Sequence, residues 1–162
     1  MSQYIQFENV EDEKFIVHAI IKCKSSECEF PKYLCQFDKE VERIQFIGGH
    51  IENCESNEEA ILREIKEELP YAQLQNEDIL LTQKLPEIQD ISISPTTHRQ
   101  TLYHFFVFIV RFTKKLVLDK SKDILLTQEE LESKYFGGNS SYLRKLQKLI
   151  SLEKIEPMEL ED

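Results

Sequence analysis

Residues 101–112, TLYHFFVFIVRF, are an almost unbroken run of apolar and aromatic side chains. Such residues favour the pleated state, and a strand apolar at both parities has to be covered on both faces. A sheet with layers on either side is therefore required, and a chain of 162 residues is about one domain long and can bury such a core.

The rest of the sequence supplies the layers. Lys14 to Lys22 (KFIVHAIIK), Tyr33 to Phe37 (YLCQF) and Asp78 to Leu85 read as further strands, and Arg43 to Ile47 as an extended segment leading into Gly48-Gly49. Glu87 to Gln100 reads as a polar loop and Thr113 to Lys122 as a charged connection. Ser56, followed three residues later by Glu59, is a capping box opening a helix that Pro70 stops. A short helix near Gln128 to Lys134 and an amphipathic helix from about Ser140 to Glu153 follow, the latter with Leu143, Leu146, Leu149 and Ile150 on one stripe. The expected architecture is an α/β layered domain spanning residues 1–162, with an acidic tail, residues 157–162, frayed.

Composition narrows the function. The net charge is −10, from 30 acidic and 20 basic residues, which disfavours coating nucleic acid or anionic lipid. A small phosphorylated partner stays compatible, since bound divalent cations reverse a local field. Met1 to Tyr4 lacks the basic start of a signal peptide, and no apolar run has the length of a bilayer helix. A soluble cytoplasmic protein is expected. Cys23, Cys28, Cys35 and Cys54 fit no zinc spacing, so reduced thiols are expected.

The chemistry is concentrated in residues 49–71, GHIENCESNEEAILREIKEELPY. At helical spacing Glu64, Glu67 and Glu68 stand at i, i+3 and i+4 and project from one face, while Ile61, Ile65 and Leu69 form a second face for packing. Gathering like charges this way costs roughly 0.2–0.5 kcal/mol per pair, which a shared hard cation relieves. A solvated acidic face is the plain alternative. Two glycines just before the helix, which let backbone approach a ligand, and Arg63, placed to pair with Glu55, favour a site. His50 and Arg99 are candidate substrate contacts, and Tyr103, Phe105 and Phe106 either stack a base or pack in the core.

This segment resembles the Nudix box. Gly49, Glu55, Arg63, Glu64, Ile65, Glu67 and Glu68 fall in register, with Pro70 in place of the last glycine and Tyr71 in place of the final aliphatic residue. The resemblance implies an αβα sandwich with a mixed sheet, a central metal-binding helix and a closing C-terminal helix. It implies that Glu64, Glu67 and Glu68 bind magnesium, with manganese as a substitute, and that the Gly48 carbonyl adds a ligand. Glu55 and Arg63 would orient the helix. Asp123, with Glu129 and Glu130 behind it, is the candidate for a distal general base. The implied activity is hydrolysis of a nucleoside diphosphate linked to another moiety, on a small nucleotide and away from membranes, with homodimerisation left open. The competing reading is a Nudix-fold nucleotide sensor with little or no catalysis.

Overall fold

The computed structural model describes residues 10–24, 30–39, 42–134 and 141–161. Its strands are β1 (Asp12–Ile20), β2 (Lys22–Lys24), β3 (Lys32–Asp38), β4 (Arg43–His50), β5 (Ile79–Lys84), β6 (Ile88–Ile93), β7 (Gln100–Phe112), β8 (Asp123–Leu126) and β9 (Met158–Glu159). The helices are α1 (Asn57–Glu68), α2 (Gln128–Lys134) and α3 (Ser141–Ser151).

The apolar run forms β7, and it is covered on both faces. Phe108 and Val110 pack with Ile61 and Ile65 of α1. Phe105, Val107 and Ile109 pack on the opposite face with Leu143, Leu146 and Ile150 of α3. Burying each such side chain stabilises the fold by roughly 1.5–3 kcal/mol. The sheet is mixed: β1 runs parallel to β7 in the register Asp12↔Thr101 to Ile20↔Ile109, while β4, β5 and β6 pair antiparallel. The result is an αβα sandwich.

β4 ties the two halves of the sheet together. Its first half pairs with β3 (Phe46↔Cys35) and its second half with β1 (Gly48↔His18, His50↔Ile16). Gly48-Gly49-His50 thus belongs to a strand end, and α1 starts seven residues after His50, at Asn57.

Two segments differ from expectation. The polar loop of residues 87–100 contains β6, which pairs with the first half of β7 from Ile88↔Phe105 to Ile93↔Gln100. Its three isoleucines are interrupted by Gln89, Asp90 and Ser92 and only Ile88 is buried, so it lacks a clear apolar face and the long edge of β7 supplies the pairing. The acidic tail is docked up to residue 161 and not frayed there: Met158 is buried, β9 pairs parallel with β2, and Glu161 donates its N–H to the Leu116 carbonyl at 3.0 Å. Met158 and Leu160 carry this segment into the core that α1 covers. Cys23 and Cys35 are buried free thiols and Cys54 is an exposed one, whereas Cys28 and the first nine residues lie outside the described residues. No helix among the described residues is long and apolar enough to cross a membrane.

Candidate active site

Local sequence fixes α1. The Ser56 side chain accepts the Glu59 N–H at 3.1 Å, and the Glu59 carboxylate accepts the Ser56 N–H at 3.1 Å, so two otherwise unpaired donors are satisfied. The helix ends at Glu68, followed by a single 3-10 turn, Pro70–Ala72, with proline at its start. Gln73, at φ 51°, takes the left-handed position that commonly closes a helix, in place of a glycine.

Ala60, Ile61 and Ile65 press α1 onto the sheet, which carries Glu64 to the end of β4. The approach depends on glycine at both positions. A Cβ on Gly49 would lie 2.5 Å from Glu64 Oε1, and one on Gly48, whose φ is +153°, would lie 1.9 Å from the Val17 carbonyl oxygen. Glu64 is only 8% exposed.

Arg63 holds the surroundings in place. Its Nε and Nη2 donate to the two Glu55 oxygens at 2.6 and 3.0 Å, and Nη2 also donates to the His50 carbonyl at 3.1 Å. Nη1 reaches Glu64 at 3.0 Å and Glu67 at 3.2 Å. One planar fork therefore links the β4 end, the following loop and the helix. These hydrogen bonds hold Glu55 below the usual carboxylate range. Burial raises the pKa of Glu64. Glu68 is raised too, by burial first and then by the charge of Glu64. Its backbone carbonyl accepts Gln36 Nε2 at 2.7 Å.

Among the described residues no three such side chains converge on a single point, and Glu67 leans on Arg63. The donor set nevertheless suits a hard divalent cation. It is all carboxylate, and two of its members carry pKa values raised by the burial and mutual repulsion that a cation would offset. Glu67, with a side chain 59% exposed, is held by the long arm of Arg63.

The other sequence candidates separate. His50 ends β4 and lines a cavity of about 460 Å³ that also reaches Gly48 and Gly49. Its pKa is lowered, by partial burial first and then by Lys14. Arg99 is exposed in the β6–β7 turn and does not line this cavity. Asp123 has both oxygens engaged, accepting Gln36 Nε2 at 2.6 Å and the Asp119 N–H at 2.7 Å. Glu130 caps α2 by accepting the Thr127 N–H at 3.0 Å and pairs with Lys134 at 3.0 Å, and Glu129 is exposed. Tyr103 and Phe105 are buried yet line the cavity, whereas Phe106 lies on the α1 side of the sheet.

Several cavity residues were not singled out from sequence, among them Lys14, His18 and Tyr142. Lys14, Ile16 and His18 all line the cavity, as residues of one strand face at period two do, and that spacing was the available signal. His18 Nδ1 is hydrogen-bonded to the Tyr142 hydroxyl at 2.6 Å, and burial pushes its pKa down to about 3, so the ring is neutral. Phe105 stacks on Tyr142 with ring centroids 3.7 Å apart.

Comparison with known proteins places the fold. Many solved structures resemble it, among them three that do so by fold at low identity. C. elegans Ap4A hydrolase aligns with a TM-score of 0.57 at 14% identity, covering 85% of this chain and 98% of that one. The Nudix hydrolase RenU from M. smegmatis gives 0.57 at 11% identity, covering 90% of each chain. The Nudix domain of Shewanella oneidensis NrtR, complexed with ADP ribose, gives 0.54 at 13% identity, covering 93% and 97%. No curated protein matches in sequence. The NUDIX domain family model matches residues 31–145, most of the chain and all of the helix and strand end described above, and this chain belongs to the Nudix family.

Proposed function

We propose that this chain is a pyrophosphohydrolase that cleaves the anhydride linkage of a nucleoside diphosphate joined to another moiety. The observation that carries the reading is the acidic face of α1, locked by Arg63 against Gly49 and opening beside a cavity of about 460 Å³. Glu64, Glu67 and Glu68 would hold magnesium, or manganese in its place, with the Gly48 carbonyl as a further ligand. When bound, the cation neutralises phosphate charge and makes water a better nucleophile. The chain's own residues do the rest. The cavity seats the nucleoside with its attached phosphate, and Arg63 keeps the helix and the β4 end at a fixed separation. A helix carboxylate accepts a proton from the attacking water as the new P–O bond forms. The anhydride P–O bond breaks and leaves a second phosphate product.

The test is a nucleotide panel with magnesium, including dinucleoside polyphosphates, ADP-ribose and nucleoside triphosphates, read by released phosphate or pyrophosphate. Turnover of at least one diphosphate-linked nucleotide is expected; none across the panel would sink the reading. One observation favours the sensor alternative: Arg63 already bonds Glu64 and Glu67, leaving them partly neutralised without a cation. Tight nucleotide binding by calorimetry with no turnover in magnesium would select it.

A further inference from the structure

Lys14 stands at an unusual place for a cation. Among the described residues it is the one lysine or arginine lining the cavity, whose lining also includes Asp38, Asp90, His18 and His50. Its ammonium donates to Ser94 Oγ at 3.1 Å and to Thr96 Oγ1 at 3.4 Å, and it forms no ion pair among the described residues. Both partners are neutral. An ammonium has three protons, so one remains to be given.

The corner around it is built. Ser94 is fully buried, and its Oγ also accepts the N–H groups of Thr96 and Thr97, each at 3.3 Å. These bonds close the β6–β7 turn, and the Lys14 contacts to Ser94 and Thr96 join it to β1. A partly buried charge without a counter-ion carries a desolvation cost that an arriving anion would offset. In a chain of net charge −10, this is where the cavity can favour an anionic ligand. The corner is also close to the hydrolytic face, since Gly49 and His50 line the same cavity and the His50 carbonyl is held by Arg63.

We propose that Lys14, supported by Ser94 and Thr96, binds the phosphate oxygens of the substrate moiety seated in the cavity and so selects phosphate-bearing nucleotides over neutral nucleosides. This rests on the pyrophosphohydrolase reading for its place in catalysis, but the binding itself does not require turnover. Lys14 is a binding residue that sets specificity and takes no part in proton transfer.

The experiment compares wild type with Lys14→Met and Lys14→Arg, after circular dichroism has shown all three folded. Binding of ADP and of adenosine is measured by calorimetry in EDTA, so that no divalent cation contributes. Wild type binds ADP, Lys14→Met weakens it about 10- to 100-fold, as loss of one charged hydrogen bond does, and Lys14→Arg restores most of it. Adenosine is bound equally by wild type and Lys14→Met, or by neither. Equal ADP affinity in wild type and Lys14→Met, no ADP binding by wild type, or an adenosine loss as large as the ADP loss would each overturn the proposal. With a substrate found in the panel, Lys14→Met raises KM more than it lowers kcat. An unchanged KM defeats this inference and leaves the hydrolase reading standing. Lys14-dependent ADP binding with no turnover of any nucleotide does the reverse.

Discussion

Arg63 and Glu55 form a two-point clamp, Nε to Oε2 at 2.6 Å and Nη2 to Oε1 at 3.0 Å, across the loop that joins β4 to α1. The clamp is partly buried, with side-chain exposures of 22% and 13%, so solvent screens it less than a surface pair. Lysine keeps the charge but offers no planar fork. Arg63→Lys is expected to lower kcat/KM by about 10- to 100-fold and to lower Tm by a few degrees, read by steady-state kinetics and calorimetry.

Gly49 is the narrowest point between strand and helix. Gly49→Ala places a Cβ 2.5 Å from Glu64 Oε1, and that carboxylate must move. The expected result is a fall in turnover of about 10-fold or more with the fold retained. Gly48→Ala meets the Val17 backbone instead and should cost about 1–3 kcal/mol of stability from strained backbone alone, measured by denaturant unfolding. Normal activity in Gly49→Ala would show that Glu64 is not a working group.

Glu67 has the most exposed carboxylate of the three and contributes least to packing. Glu67→Gln is expected to leave Tm within about 2 °C of wild type. Turnover should fall by about 100-fold or more, as for loss of a metal ligand or general base. Equal turnover in the two proteins would refute the metal-site assignment.

His104 provides a pH signature of stability away from the acidic helix. Burial pulls its pKa down, but Glu13 at 3.1 Å and Glu87 at 3.2 Å outweigh burial and raise it above the ordinary value of 6.5. A raised folded-state pKa means the folded protein binds the proton more tightly. The stabilisation is therefore complete below pH 6.5 and is lost as pH rises through the folded value. Thermal melts of wild type and His104→Gln should differ most below pH 6.5 and converge at alkaline pH. A difference independent of pH would exclude the charged pairing.

His18 acts in the opposite direction. Its pKa is lowered to about 3, so the unfolded chain takes up a proton that the folded chain refuses as pH falls below 6.5. Stability is expected to drop from pH 6.5 toward 3, and His18→Gln should flatten that limb in melts.

The local sequence determined what local physics controls. The capping box at Ser56 and Glu59, the stop at Pro70, the one-sided array of Glu64, Glu67 and Glu68, and the two-faced burial of β7 each follow from spacing within a single element. Tertiary structure decided whatever depends on distant neighbours. β6 exists because β7 has a free edge, since backbone pairing does not need apolar side chains. Met158 is buried because β2 offers a parallel partner. Lys14 reaches Ser94 and Thr96 across eighty and more residues, and His18 reaches Tyr142 across 124, so no local pattern marks those contacts. The helix carrying the carboxylates was legible in the sequence, but the cavity beside it comes into being only when strand, turn and C-terminal helix meet.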